Sequence, residues 1–204
     1  EIPSLKGTVD LNQNKLTHKV NANLLGGSVD VVGNLNIENK KSANTTIKIK
    51  TIDLSSLDQF IPSISGSISG DVKLKGHLPE NGKIPNNLKV DTIFDLENLR
   101  MPVEIKGKMV NAEISKIKGN VSLNRKKLNH NITAKLLGGN VSAKGNLLLK
   151  DSGTPHAVDT AIGLEHLDLV LVQRLKKGDW VPTSGKLTGN LKVKGPIPEG
   201  KDSP

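Results

Sequence analysis

Five histidines and twenty carboxylates are the groups from which this 204-residue chain could build a reactive centre, and it has no cysteine. His18 and His130 stand in equivalent sequence contexts, His-Lys-Val-Asn-Ala and His-Asn-Ile-Thr-Ala. An acid/base or ligand role needs a converging carboxylate or second imidazole, and neither stands near them in sequence. Both fall on the apolar side of an alternating run and read as structural residues near a strand end. His77, His156 and His166 are scattered without metal-ligand spacing. Asp53 and Asp168 each open an Asp-Leu segment, where a helix-capping role explains the carboxylate. Gly26-Gly27 and Gly138-Gly139 are not followed by Gly-Lys-Ser/Thr, so no phosphate loop is present; Gly26-Gly27 is expected to supply the positive φ angles of a tight hairpin. The Asn-x-Ser/Thr triplets at Asn44, Asn120, Asn131 and Asn140 arise freely in strands rich in these residues. The sequence therefore assigns no catalytic residue, no metal ligand and no cofactor, and the chain does not read as an enzyme.

What remains is aliphatic surface. Aromatic rings are confined to Phe60, Phe94 and Trp180, which disfavours nucleic-acid platforms and most enzyme pockets. The net charge is +9, yet the lysines alternate with apolar residues, as in Ile47-Lys48-Ile49-Lys50 and Val72-Lys73-Leu74-Lys75. Such lysines sit on the solvent face of a strand and discourage edge association, so no nucleic-acid partner is expected. No run approaches the ~18 apolar residues of a membrane-spanning helix, and no signal peptide opens the chain. Beginning at Glu1 without methionine, it reads as a piece of something longer.

The elements carrying this surface are stated twice. Leu5–Ile37 aligns without a gap to Ile117–Leu149, and 17 of the 33 positions are identical, which marks an internal duplication. Within it, Leu16, His18, Val20, Ala22 and Leu24 alternate with polar residues, the period of a half-buried strand. The next strand returns with Val29, Val31, Gly33, Leu35 and Ile37. A strand around Thr45–Ile52 follows, then a period change: Leu54, Leu57, Phe60 and Ile61 predict two turns of helix over 53–61, stopped by Pro62. Its counterpart spans 167–177. Ser65–Gly76 recurs as Ser184–Gly195, with about seven residues inserted near Gly178-Asp179-Trp180. Leu88–Leu96 and Val103–Ala112 read as two further strands before Glu113–Leu123. The expected fold is mostly β: an elongated antiparallel meander of two repeats, 1–112 and 113–204, each with about six strands and one short helix, forming one continuous unit.

One face of such a sheet must be hidden from water, by a second sheet, by curling on itself, or by a ligand. An aliphatic face free of directional groups suits acyl chains, which need apolar area alone, at ~25 cal/mol per Å².

The glycine and aliphatic framework resembles the AsmA-like family, the TamB relatives of Gram-negative bacteria. The resemblance rests on Leu24, Leu25, Gly26, Gly27, Val29, Gly33 and Leu35, and on Leu136, Leu137, Gly138, Gly139, Val141, Gly145 and Leu147. It rests also on Ser65, Gly66, Ile68, Gly70, Val72 and Gly76, with Ser184, Gly185, Leu187, Gly189, Leu191 and Gly195. It covers nearly the whole chain. It implies a repeating β-groove, a sheet curled around an apolar concave face as in bridge-like lipid-transfer proteins. It further implies a periplasmic protein held in the inner membrane by an N-terminal helix that this chain lacks, and partners among outer-membrane or other envelope proteins. The expected function is a non-enzymatic groove segment conducting phospholipid, or another acyl-chain lipid, between the two membranes. Candidate lining residues are Val20, Ala22, Leu24, Val29, Val31, Leu35, Val72, Leu74, Ile132, Ala134, Leu136, Val141, Ala143, Leu147, Leu191 and Val193. The alternative is a structural or adhesive β-solenoid or β-sandwich module that binds protein or glycan.

Overall fold

The computed structural model describes residues 4–38, 41–105, 108–169 and 184–197. They form one antiparallel sheet whose eleven strands lie in chain order. The strands are β1 (Ser4–Asn12), β2 (Lys15–Leu24), β3 (Gly27–Asn36), β4 (Ser42–Asp53), β5 (Ser65–His77) and β6 (Lys89–Ile105). They continue with β7 (Lys108–Asn124), β8 (Lys127–Leu136), β9 (Gly139–Leu149), β10 (Pro155–Asp168) and β11 (Lys186–Pro196). The sheet is curled and unclosed, with β1 and β11 as its edges. A meander of this kind follows from alternation and short turns: each strand finds its partner in the next, and no crossover is needed.

Two 17-residue strands stand where the sequence suggested three shorter ones. β6 runs on through Pro102, which lies opposite Asn111, and residue 112 falls inside β7. The pairing of β5 with β6 stops at Ser65–Arg100, so Pro102 sits where β6 has a neighbour on one side only. A missing N–H is tolerated there. The helix is also shorter than expected, a single 3-10 turn at Leu54–Leu57. Asp53 caps it as anticipated, its Oδ1 accepting from Ser55 N at 2.9 Å and from Ser55 Oγ at 2.7 Å. The expected helix at 167–177 lies largely outside the described residues; Leu167 and Asp168 end β10.

The two Leu-Leu-Gly-Gly hairpins turn one residue earlier than their glycines suggest. Leu25 and Gly26 have φ of 48° and 73°, and Leu137 and Gly138 have 50° and 71°, so Leu occupies the first left-handed position of each two-residue turn. That placement costs about 1–2 kcal/mol. In return Leu25 O accepts from Asp53 N, and Leu137 O from Asp168 N, both at 2.8 Å. Gly27 and Gly139 are strand residues. A Cβ at Gly27 would lie 2.2 Å from Lys50 O, and one at Gly139 2.3 Å from Glu165 O.

Apolar burial, among the described residues, is confined to the two margins of the sheet. Among the described residues the buried apolar side chains are Ile52, Leu88, Leu99, Leu149 and Leu167. Ile52, Leu99 and Leu167 follow Thr51, Asn98 and His166, whose φ values of 49°, 52° and 55° accompany shifts in strand register. These bulges bend the strand and turn the next apolar residue inward. Leu88 and Leu149 lie at the opposite margin, where Leu149 N donates to Lys126 O at 2.8 Å.

Between the margins, glycines mark where strands approach most closely. A Cβ at Gly145 would stand 2.2 Å from Asp159 O and 2.5 Å from Thr160 Cα, whereas one at Gly189 on the edge strand would meet nothing within 4 Å. Gly145→Val is therefore expected to lower unfolding stability by about 2–3 kcal/mol through overpacking, with Gly189→Val causing no loss. Urea titration of both variants measures the difference, and equal midpoints would contradict the packing described.

Candidate functional site

Register brings the aliphatic rows together. Directly opposed residues in adjacent antiparallel strands project to the same side of the sheet. One row links Val20 to Val31, then Ile47 and Val72, and ends through His130, Gly145 and Thr160 at Val193. The adjoining row links Ala22 to Val29 and Ile49, passes Gly70 and Phe94, and continues to Ile132, Ala143, Ile162 and Leu191. Ala134 pairs with Val141 one step further, and Leu136 with Gly139 at the hairpin end, where Leu24 pairs with Gly27. On the other side of the central rows Leu74 faces Thr45, Leu147 faces Leu128, and Leu35 faces Leu16. All sixteen candidate residues thus share one face. Fourteen are half-buried, and Leu191 and Val193 on the edge strand are 57% and 40% exposed.

The same face carries two polar pairs that sequence reading missed. His18 Nε2 and Thr45 Oγ1 are 3.4 Å apart, and His130 Nε2 and Thr160 Oγ1 are 3.2 Å apart. Each pair spans a strand: Gly33 lies between His18 and Thr45, and Gly145 between His130 and Thr160. A Cβ at either glycine would come within 2.7 Å of the threonine Oγ1, so glycine is the residue that leaves the imidazole room to reach across. The threonines lie 27 and 30 residues beyond their histidines, too far for a local motif.

The opposite face is polar and internally paired. Asp30 accepts from Asn21 Nδ2 at 2.6 Å and meets Lys50 at 3.4 Å. The Asn21 hydrogen bond, with Lys50, holds its carboxyl below the usual range. Lys116 is held by Glu97 and by Asp95, the latter at 3.2 Å, and these partners raise its affinity for the proton. Asp151 is lowered by Lys126, 2.5 Å away, and Asp53 by its bonds from Ser55. Asp159 meets Lys192 and Lys194 at 4.0 and 3.6 Å. Part of the positive charge is spent in these exposed pairs, each worth little in water. A hollow of about 620 Å³ lies across β5, β6 and β7, bordered by Asp71, Asp91, Ile93 and Asp95 of this face and by Gly70 and Phe94 of the aliphatic rows. Asp95 Oδ1 there is buried without a hydrogen-bond partner. Alternation placed the residues of this face in solvent and gave no signal that they border a concavity.

Among the described residues no helix is long and apolar enough to cross a membrane, and no group of three or more His, Cys, Asp or Glu could hold a metal ion. No protein-family model, curated protein or solved structure matches the chain.

The His–Thr pairs generate a stability prediction. Thr160 is buried, so Thr160→Val should cost about 1 kcal/mol for the lost hydrogen bond and the imidazole nitrogen left without it. Thr45→Val, at the longer contact, should cost less. Chemical denaturation that finds Thr160→Val as stable as the parent would remove the pair from the account.

Proposed function

We propose that the aliphatic face is the working surface of this protein and that it holds acyl chains of phospholipid, as a non-enzymatic groove segment of the AsmA-like kind. The observation that carries the reading is that the aliphatic residues singled out from β2, β3, β5, β8, β9 and β11 share one face of a single sheet. Among the described residues no second layer lies over that face. Its apolar side chains are half-buried in its centre and buried only at the margins, a distribution that leaves apolar area for a ligand. The close approaches at Gly33, Gly70, Gly119 and Gly145 all occur on this face, which supports a sheet bent toward it.

Magnitudes favour a hydrocarbon ligand. At about 0.8 kcal/mol per buried methylene, a sixteen-carbon chain with half its surface against protein gains on the order of 6 kcal/mol. No directional contact is required, and the face offers few beyond the two His–Thr pairs. Eleven strands spaced at ~4.8 Å extend the surface over about 48 Å, long enough for chains to lie along it. Conduction between an inner and an outer membrane is the wider role that the family resemblance implies.

A second reading has one observation in its favour. The hollow across β5, β6 and β7 combines three carboxylates, a lysine and the exposed Ile93, features that suit a glycan or a polar peptide. Under that reading the protein is a binding module whose aliphatic face is only structural.

The two readings separate on one substitution. Val31→Asp places a charge in the central row at a position that is not fully buried, so folding is expected to survive. Transfer of a fluorescent phospholipid between vesicles by Val31→Asp should fall at least about tenfold, because an unpaired carboxylate on an acyl-chain surface must stay hydrated or protonate. An unchanged transfer rate in a variant with a parental circular-dichroism spectrum would defeat the acyl-chain reading.

A further inference from the structure

We propose that His18 and His130 make acyl-chain binding pH-dependent, releasing the bound lipid when their imidazoles become charged in mildly acidic surroundings. Such control rests on the lipid reading and acts on the same face.

The face is set apart by what it lacks. Three central rows cross the sheet, each taking one residue from every strand. The first runs from Leu5 and Ala22 to Ile162 and Leu191, and the second from Gly7 and Val20 to Thr160 and Val193. The third runs from Val9 and His18 to Val158 and Gly195. No Asp, Glu, Lys or Arg occurs in any of them, and His18 and His130 are their only titratable side chains. Facing His18 are Val9 of β1, Gly33 of β3, Thr45 of β4 and Leu74 of β5, with Leu16 and Val20 on its own strand. Facing His130 are Thr92 of β6, Val121 of β7, Gly145 of β9, Thr160 of β10 and Val193 of β11, with Leu128 and Ile132 on its own strand. No carboxylate among these neighbours can pair with an imidazolium.

The geometry also lays both rings along the surface a chain would cover. Each Nε2 reaches past a strand to a threonine Oγ1, at 3.4 Å for His18 and 3.2 Å for His130. Both histidines are half-buried, so water reaches them until a ligand excludes it. The threonine contact tolerates either charge state, because a hydroxyl donates to a neutral imidazole nitrogen and accepts from a protonated one. Protonation therefore acts on the ligand rather than on the fold. The duplication holds the arrangement twice, as His18, Gly33 and Thr45 and as His130, Gly145 and Thr160.

The sign follows from desolvation. Hydrocarbon laid over an imidazolium strips its hydration and offers no anion in exchange, a penalty the neutral ring escapes. Histidine is the side chain that ordinarily changes charge between about pH 5 and 8. Binding is therefore full on the alkaline side of that window and is lost as pH falls through it. By linkage, a chain that binds within the window expels protons.

The test uses the full chain and phosphatidylcholine with a pyrene-labelled acyl chain, a probe whose headgroup charge is constant across the window. Its affinity, read from pyrene fluorescence, should fall at least about tenfold between about pH 8 and about pH 5. In the double variant His18→Gln with His130→Gln, the ratio of the two affinities should be close to one, because glutamine carries no charge at either pH. Circular dichroism at both pH values checks that the variant retains the fold. Calorimetry on unmodified protein near about pH 6.5, in two buffers of different ionisation enthalpy, should register proton release on binding and needs no substitution. Equal affinity of the unmodified protein at both pH values would overturn the proposal and leave the lipid reading standing. A double variant as pH-sensitive as the parent, or binding without proton release, would do the same. Failure to bind the probe even at about pH 8 would defeat the lipid reading and the pH control together.

Discussion

The structure depends on how closely one strand can approach the face of the next at glycine. At Gly33 and Gly145 the neighbouring backbone stands where a side chain would otherwise begin, 2.4 and 2.2 Å from the Cβ position. Gly7 and Gly70 repeat the approach at 2.5 Å. Each approach bends the sheet locally, and all of them fall on the side that carries the aliphatic rows. The same gaps let His18 and His130 reach over a strand to a threonine hydroxyl. Curvature and polar fastening therefore share one cause, the absence of a side chain at the crossing point.

This arrangement shifts the sources of stability away from a closed core. Among the described residues no side chain is almost wholly buried. Apolar burial is concentrated at the margins, where bulges at Thr51, Asn98 and His166 turn Ile52, Leu99 and Leu167 inward. The centre is held by the continuous ladder and by cross-strand pairs, each contributing a few tenths to one kcal/mol. A sheet organised in this way keeps apolar surface near water that a sandwich would spend on a second layer. Half-burial in the middle of the strands is thus both a structural cost and the physical basis of the proposed function.

Much of the architecture was legible in the sequence, because a period of two leaves little choice of face. The residues singled out from β2, β3, β5, β8, β9 and β11 all project to one side, as their alternation required. What escaped were features set by backbone conformation or by distant partners. The turn residue is Leu25 rather than Gly27, since a leucine in the left-handed region is disfavoured and is held here by the bond from Asp53 N to Leu25 O. Pro102 falls between two of the expected strands, yet a one-sided stretch of β6 accommodates it. The helix at 53–61 shrank to Leu54–Leu57. The histidines were placed on the correct face, but their threonine partners lie beyond the next turn and carry no local signature.

The claim on which the functional account turns is that the aliphatic face is open to acyl chains while its reverse is not. Val31 and Val32 are adjacent in sequence and project to opposite faces, and Val32 is 49% exposed. A photoreactive amino acid at each position in turn, irradiated in the presence of phospholipid vesicles, compares the two faces within one residue step. The account predicts lipid attached at position 31 and essentially none at position 32. Equal labelling at both positions, or labelling at position 32 alone, would contradict it.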